Sequence, residues 1–270
     1  MNKNKLGKPF VFPNSFIMAV GYIRYAFQLP YRQTEGIIKA TGKRLPNNSP
    51  SYGHICKRIN RLDIDIIKKR EHMDEDDDDY IIVSIDSTGI KVTDRGQWMN
   101  EKWNVQKNKK KGYLKIHIAV DIATKEILAL DVTDEKIHDG RILKKLVGHV
   151  LDNHDKKRIK SVLADGAYDS NANFRYLQEK KITPAIKVRK NSVVSSTNSG
   201  LRNKEVMLQQ QSKDLFKWKT KRKYGYRWIA ETAFSTIKRT FGEYISATRF
   251  QNMIKEMMIK VSLYNLFRRL

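Results

Sequence analysis

The sequence contains a single cysteine, Cys56, among its 270 residues. That excludes an internal disulfide and any zinc site built on a cysteine cluster. No apolar run approaches the roughly 20 residues needed to cross a bilayer. The first residues, from Met1 to Pro13, lack the apolar core of a secretion signal. The expectation is a cytoplasmic protein with no membrane partner. Internal repeats are absent as well. Acidic residues are scarce beside basic ones: 29 Asp and Glu stand against 53 Lys and Arg, for a formal net charge of +24. Charge of one sign at this level repels itself in a folded chain. A polyanionic partner is the economical explanation, and nucleic acid comes before an anionic membrane surface.

What is present divides at an acidic run, Glu71 to Asp79. Before it the pattern is helical over 14–28 and 31–40. A third helix is expected from Ser49-Pro50, a serine N-cap followed by proline in the first turn. That segment carries His54, Lys57 and Arg58 at helical spacing, with Ile55, Ile59 and Leu62 on another side. A short helix, a turn and a basic helix suggest a helix-turn-helix module over 1–72, with these three cations facing DNA. An ordinary three-helix bundle with a solvated basic face is the alternative. Residues 73–79 read as a solvated acidic linker, because adjacent aspartates repel each other and make a poor metal site.

After the linker the period changes. Strands are expected over 80–85, 113–120, 126–132, 159–164 and 182–188, and helices over 139–154, 171–180, 221–241 and 248–270. Residues 191–220 are polar and match no motif. The expected class is α/β, a mixed five-stranded sheet flanked by helices over 80–270, behind a small all-α N-terminal domain.

Asp86, Asp121 and Asp165 each follow a strand-like run. Ligands gather at the carboxyl ends of strands, but aspartate is also an ordinary turn residue there. Small residues follow two of them, Ser87-Thr88-Gly89 and Gly166-Ala167, leaving room for a phosphate backbone. The helix expected over 221–241 is sharper. At about 100° per residue, Tyr224, Arg227, Glu231 and Lys238 fall within about 60° of arc. Ala230, Ala233, Phe234, Ile237 and Phe241 share a separate, apolar face. An exposed Arg227–Glu231 pair is worth only about 0.2–0.5 kcal/mol, a thin reason for such a stripe.

The spacing Tyr224-x2-Arg227-x3-Glu231-x6-Lys238 resembles the Y-R-E-K signature of DDE transposases encoded by bacterial and archaeal insertion sequences, in the families numbered four and five. Ser84-Ile85-Asp86-Ser87-Thr88 resembles their first-aspartate motif. Leu163-Ala164-Asp165-Gly166-Ala167-Tyr168-Asp169 is similar to the second. Leu29 to Gly36, LPYRQTEG, looks like their lead-in segment. The resemblance covers most of the chain from about Tyr80 onward.

It implies an RNase H-like catalytic domain whose triad is Asp86, Asp165 and Glu231. It implies two Mg²⁺ ions, with Mn²⁺ as a substitute: Asp86 would bridge them, and Asp165 and Glu231 would hold one each. Tyr224, Arg227 and Lys238 would contact phosphates near the cut. Lys187, Arg189 and Lys190 would line the same channel, with surface solubility as their alternative role. The basic run Lys107 to Lys111 would lie over the DNA. The implied partners are double-stranded DNA, both terminal inverted repeats and target, and a second copy of the chain in a synaptic homodimer. The implied function is cleavage and strand transfer in DNA transposition. A nuclease of the same fold that does not transpose, an inactive DNA-binding relative and a structural basic protein are the competing readings. The buried strand pattern and the length argue against the last.

Overall fold

The computed structural model describes residues 11–41, 49–66, 80–92, 113–153, 158–210 and 215–270. The acidic linker and the Lys107–Lys111 run lie outside the described residues. Three helices come first: α1 (Asn14–Ala26), α2 (Tyr31–Thr41) and α3 (Tyr52–Ile59). The third begins later than expected. Ser51 is its N-cap, accepting from the His54 backbone N–H, and Ser49-Pro50 lies outside.

The sheet follows, with β1 (Tyr80–Val92), β2 (Tyr113–Asp121) and β3 (Ile127–Asp134). These three are antiparallel neighbours. After α4 (Leu143–Asn153), β4 (Arg158–Ala164) pairs in parallel with β1. After α5 (Asn171–Glu179), β5 (Thr183–Ile186) pairs in parallel with β4. The order is β3-β2-β1-β4-β5. This is the mixed α/β sheet expected of an RNase H-like domain. A two-residue sixth strand, β6 (Tyr244–Ile245), joins β1 at Lys91 and Val92. The remaining helices are α6 (Gly200–Gln210), α7 (Leu215–Lys221), α8 (Trp228–Phe241) and α9 (Phe250–Arg269). Among the described residues, no helix is long and apolar enough to cross a membrane.

Alternation along β1 builds two cores. Ile81, Val83 and Ile85 point to one face, against Leu143, Leu146 and Val150 of α4 and Phe174 and Leu177 of α5. Ile90 points to the other face, where Ile116, Ile118 and Val120 of β2 meet Ala230, Ala233, Phe234 and Ile237 of α8 and Met257 and Val261 of α9. The apolar face read for α8 is therefore its sheet-facing side.

Helix α9 is buried continuously from Ile259 to Asn265. A helix buried all round needs cover on both sides. The sheet supplies one side. The N-terminal helices supply the other, through Ile17, Val20, Ile55 and Ile59 packed with Ile259. Tyr22 and Ser262 share a 2.8 Å hydrogen bond across that contact.

Two expected helices are broken. Residues 139–154 divide into a 3-10 turn, Asp139–Arg141, and α4. Residues 221–241 divide at Lys223, which adopts a left-handed φ of 53°, so a 3-10 turn over Tyr224–Arg227 precedes α8. The polar stretch 191–220 is not structureless. It contains α6 and begins α7, tied together by the Trp218 indole donating to buried Glu205 at 2.8 Å, with Arg222 paired to the same carboxylate.

Candidate active site

The sheet register brings two aspartates side by side. β1 and β4 run parallel, and their last pairs are Val83 with Val162 and Ser84 with Leu163. Two residues further on stand Asp86, still within β1, and Asp165, one residue past the end of β4. Asp86 is not at a strand end, as its sequence context suggested. β1 continues to Val92 because β2 keeps pairing on its other side after β4 stops. The site therefore opens where the parallel ladder ends and one side of β1 becomes free. Asp165 itself opens the turn Gly166–Tyr168, accepting from Ala167 N at 2.9 Å. Neighbouring loops pack tightly against that turn. A Cβ on Gly140 would stand 2.9 Å from the Ala167 carbonyl oxygen. Asn173 Nδ2 donates to both Gly140 O and Tyr168 O, at 2.8 and 3.0 Å.

Alternate residues of β1 face the helix that carries Glu231. Ser84 Oγ donates to Arg227 O at 3.1 Å, Arg227 reaches Asp86 Oδ2 at 3.5 Å, and Lys238 Nζ donates to Thr88 Oγ1 at 2.8 Å. Arg227 also donates to Glu231 Oε1 at 2.5 Å. Ser84, Asp86 and Thr88 thus form a strand row with period two, set against Arg227 at the end of the 3-10 turn and Glu231 and Lys238 on α8. The role of Thr88 was not foreseen, although the alternation in Ser-Ile-Asp-Ser-Thr carries it. Tyr224 lies beside the same group, with its ring 5.1 Å from that of Trp218. Burial pushes its phenol pKa up, against the opposing effect of Arg227.

The electrostatics are unequal. Asp86 makes one short hydrogen bond, from Ser87 N at 2.9 Å. Burial raises its carboxyl pKa to about 6. Ser87 N–H and Arg227 oppose the rise, while Asp165 and Glu231 add to it. Burial alone would lower the Arg227 pKa, but Tyr224, Asp86 and Glu231 outweigh it and hold the guanidinium charged. Tyr168 is buried near Asp86 and Asp165. Burial, then Asp139, Asp86 and Asp165, push its pKa up.

Asp86, Asp165 and Glu231 fit a divalent cation in donor chemistry, since hard cations take carboxylate oxygens. Asp86 in particular is a half-buried carboxylate with little positive charge around it beyond Arg227. The set is not a preformed cage. Among the described residues, no three His, Cys, Asp or Glu side chains are grouped so as to hold a metal ion, and Arg227 stands between Asp86 and Glu231 as their cation.

The other foreseen residues separate. Lys187 and Arg189 flank the Asp165 turn: Lys187 N donates to Ala164 O at 3.3 Å and Arg189 Nε to Gly166 O at 3.2 Å, and Lys190 is exposed beside them. On α3, Lys57 is exposed, and the half-buried His54 ring packs edge-on to Phe12. Arg58 is a correction. It is buried, with its guanidinium donating to Phe12 O and Asn14 Oδ1 at 3.1 and 2.7 Å, so it braces the helical core and cannot face DNA. Asp121, the rejected aspartate, caps the β2–β3 turn by accepting from Ala123 N and from both Thr124 N and Oγ1.

A family described as "Transposase DDE domain" matches residues 77–266, and a second family of the same description matches 1–95. Among solved structures, the chain is similar to a piggyBac transposase synaptic complex with hairpin DNA, at 13% identity and a TM-score of 0.38; the match covers 70% of this chain and 46% of that one. The chain thus spans under half the length of that relative. It is also similar to the Mos1 mariner paired-end complex with Mn, at 11% identity and a TM-score of 0.29, covering 85% of this chain and 78% of that one. A third similarity is to the Drosophila P element transposase strand transfer complex, at 13% identity and a TM-score of 0.35, covering 98% of this chain and 66% of that one.

Proposed function

Because this chain belongs to the family of transposase DDE domains, we propose that it cuts DNA at the ends of a mobile element and joins them to a target, using Asp86, Asp165 and Glu231. The observation that carries the assignment is the register: it sets Asp86 beside Asp165 at the end of the β1–β4 ladder, while Arg227 links Asp86 to Glu231. The three carboxylates would hold divalent cations, Mg²⁺ with Mn²⁺ as substitute, and these would stabilise charge on the attacking and leaving oxygens of a phosphodiester.

The protein's own groups do the rest. Arg227 keeps Asp86 and Glu231 from repelling each other before a cation arrives, and is then free to donate to a phosphate. Lys238 and Tyr224 sit along the same row and would position the strand. Lys187, Arg189 and Lys190 extend the cationic border past the Asp165 turn. The N-terminal helices, residues 1–72, would add DNA contacts through Lys57 and His54. Their contact with α9 couples that binding to the catalytic layer. A homodimer would bring two element ends together.

The test is a strand-transfer assay with the purified chain, DNA carrying the element's terminal inverted repeats, a target plasmid and Mg²⁺. Joined products support the proposal. Cleaved ends that never join would assign the chain as a nuclease of this fold. DNA that is bound but left intact would assign it as a non-catalytic relative.

A further inference from the structure

A cavity of about 420 Å³ lies between the N-terminal helices and the start of α9, lined by Arg24, Tyr31, Tyr244, Thr248, Asn252 and Lys260 among others. Its size falls in the range of about 300–1,000 Å³ common for small-ligand clefts. Two cations and one carboxylate meet there. Glu256 is fully engaged: it accepts from Ser246 N, Ser246 Oγ and Ala247 N and pairs with Lys260 at 3.1 Å. Lys260 also donates to Tyr244 O at 2.7 Å. That leaves Arg24. The residue is only 6% exposed, its NH2 donates to Ser246 Oγ at 3.2 Å, and among the described residues its Nε has no partner. The guanidinium lies over the rings of Tyr25 and Tyr31, at 4.4 and 4.0 Å from their centroids. Both phenols are neutral, since burial raises their pKa. Neither can serve as its counterion, and among the described residues no carboxylate pairs with it.

A buried charge without a counterion is costly. The first turn of α9 points the same way. Its backbone N–H groups have no intrahelical acceptor, and its N-cap residue, Arg249, makes no side-chain capping bond to them. A helix start of this kind favours an anion. We propose that this cavity is a phosphate subsite, held by Arg24 and the N-terminus of α9, that takes a backbone phosphate of bound DNA away from the carboxylates. The placement suits that occupant. Tyr244 pairs with Lys91, five residues beyond Asp86 on β1, or about 17 Å at ~3.3 Å per residue. A strand passing the carboxylates would cover that distance in about five nucleotides at ~3.4 Å each. The inference rests on the DNA-binding reading for its occupant, but the anion site itself does not.

The test uses the full chain, with a labelled duplex in anisotropy titrations over a range of salt. Arg24→Gln removes the charge. Asn252→Asp adds a carboxylate at the cavity in the first turn of α9, where it favours the helix, so this variant keeps its fold. Each should weaken binding about tenfold and make the salt slope shallower by about 0.9, the loss of one phosphate contact. Unchanged affinity and slope in Asn252→Asp overturn the proposal, as does weaker binding with an unchanged slope. The second readout is the Arg24 Nε–H resonance, followed with the duplex and with inorganic phosphate alone. A shift with the duplex supports the subsite, and no shift with either overturns it. If the wild-type chain binds no duplex, the DNA reading fails separately. A phosphate-dependent shift in that case would give the cavity to a small phosphate-bearing ligand and overturn the proposed occupant.

Discussion

Asp86 stands within β1, Asp169 closes the turn that Asp165 opens, and their surroundings are opposite. Asp169 accepts from Arg189 N at 3.0 Å, Ser192 Oγ at 2.7 Å, Arg202 Nε at 2.9 Å and Arg202 NH2 at 3.3 Å. Burial would raise its pKa, but Arg202, Arg189 N–H and Ser192 outweigh that and hold it below the usual carboxylate range. Asp86 has one short hydrogen bond and a distant guanidinium, and its pKa stands at about 6. A carboxylate whose needs are met by the protein is a structural knot: Asp169 fastens the polar stretch after β5 to the loop carrying Asp165. A carboxylate whose needs are unmet keeps its capacity for something else. Strain of this kind gathers at functional sites, where charged groups are held ready for a ligand.

The contrast breaks most visibly at Arg202. Replacing it by glutamine strips the charged donor from a side chain that is itself fully buried, and breaking a buried ion pair costs about 3–5 kcal/mol. Chemical denaturation should show a loss of that size; a loss below about 1 kcal/mol would mean that Asp169 is not the knot described. The second effect concerns pH. The folded pKa of Asp169 is lowered, so its stabilisation is present above the ordinary value of 3.8 and is lost on acidification below it. The folded pKa of Asp86 is raised to about 6, so in metal-free buffer its contribution is present below 3.8 and is lost as pH rises to about 6. Asp86→Asn should therefore gain on the wild type between pH 4 and 6, by on the order of 2–3 kcal/mol. Parallel stability curves for the two proteins would contradict the unmet state of Asp86. The smallest effect belongs to Lys238, which already has a partner in Thr88. Lys238→Ala should reduce the salt slope of DNA binding by about 0.9 with little change in stability; an unchanged slope would remove Lys238 from the phosphate-binding row.

The sheet was legible because its strands are β-branched runs and its helices have period. Glu231 was legible because its stripe and its signature spacing agree. The position of Asp86 within β1 was not, since nothing local marks where a parallel neighbour stops. Lys223 breaks a helix that reads as continuous, because no glycine or proline at that position announces its left-handed backbone. Arg58 looked like a DNA contact because an amphipathic helix displays it, but its acceptors, Phe12 O and Asn14, lie more than forty residues away. Helices α6 and α7 were hidden for a similar reason: the buried Glu205 that joins them to Trp218 and Arg222 reads as one more surface acid in a polar stretch.

The assigned triad is tested most directly by Mg²⁺-dependent cleavage of duplex DNA by the wild type, Asp86→Asn, Asp165→Asn and Glu231→Gln, with DNA affinity measured on the same preparations. Each substitution should lower cleavage by at least about a thousandfold, since groups that act as a unit fail together, while binding stays within a few-fold. Cleavage by Asp86→Asn at the wild-type rate, on equal binding, would contradict it.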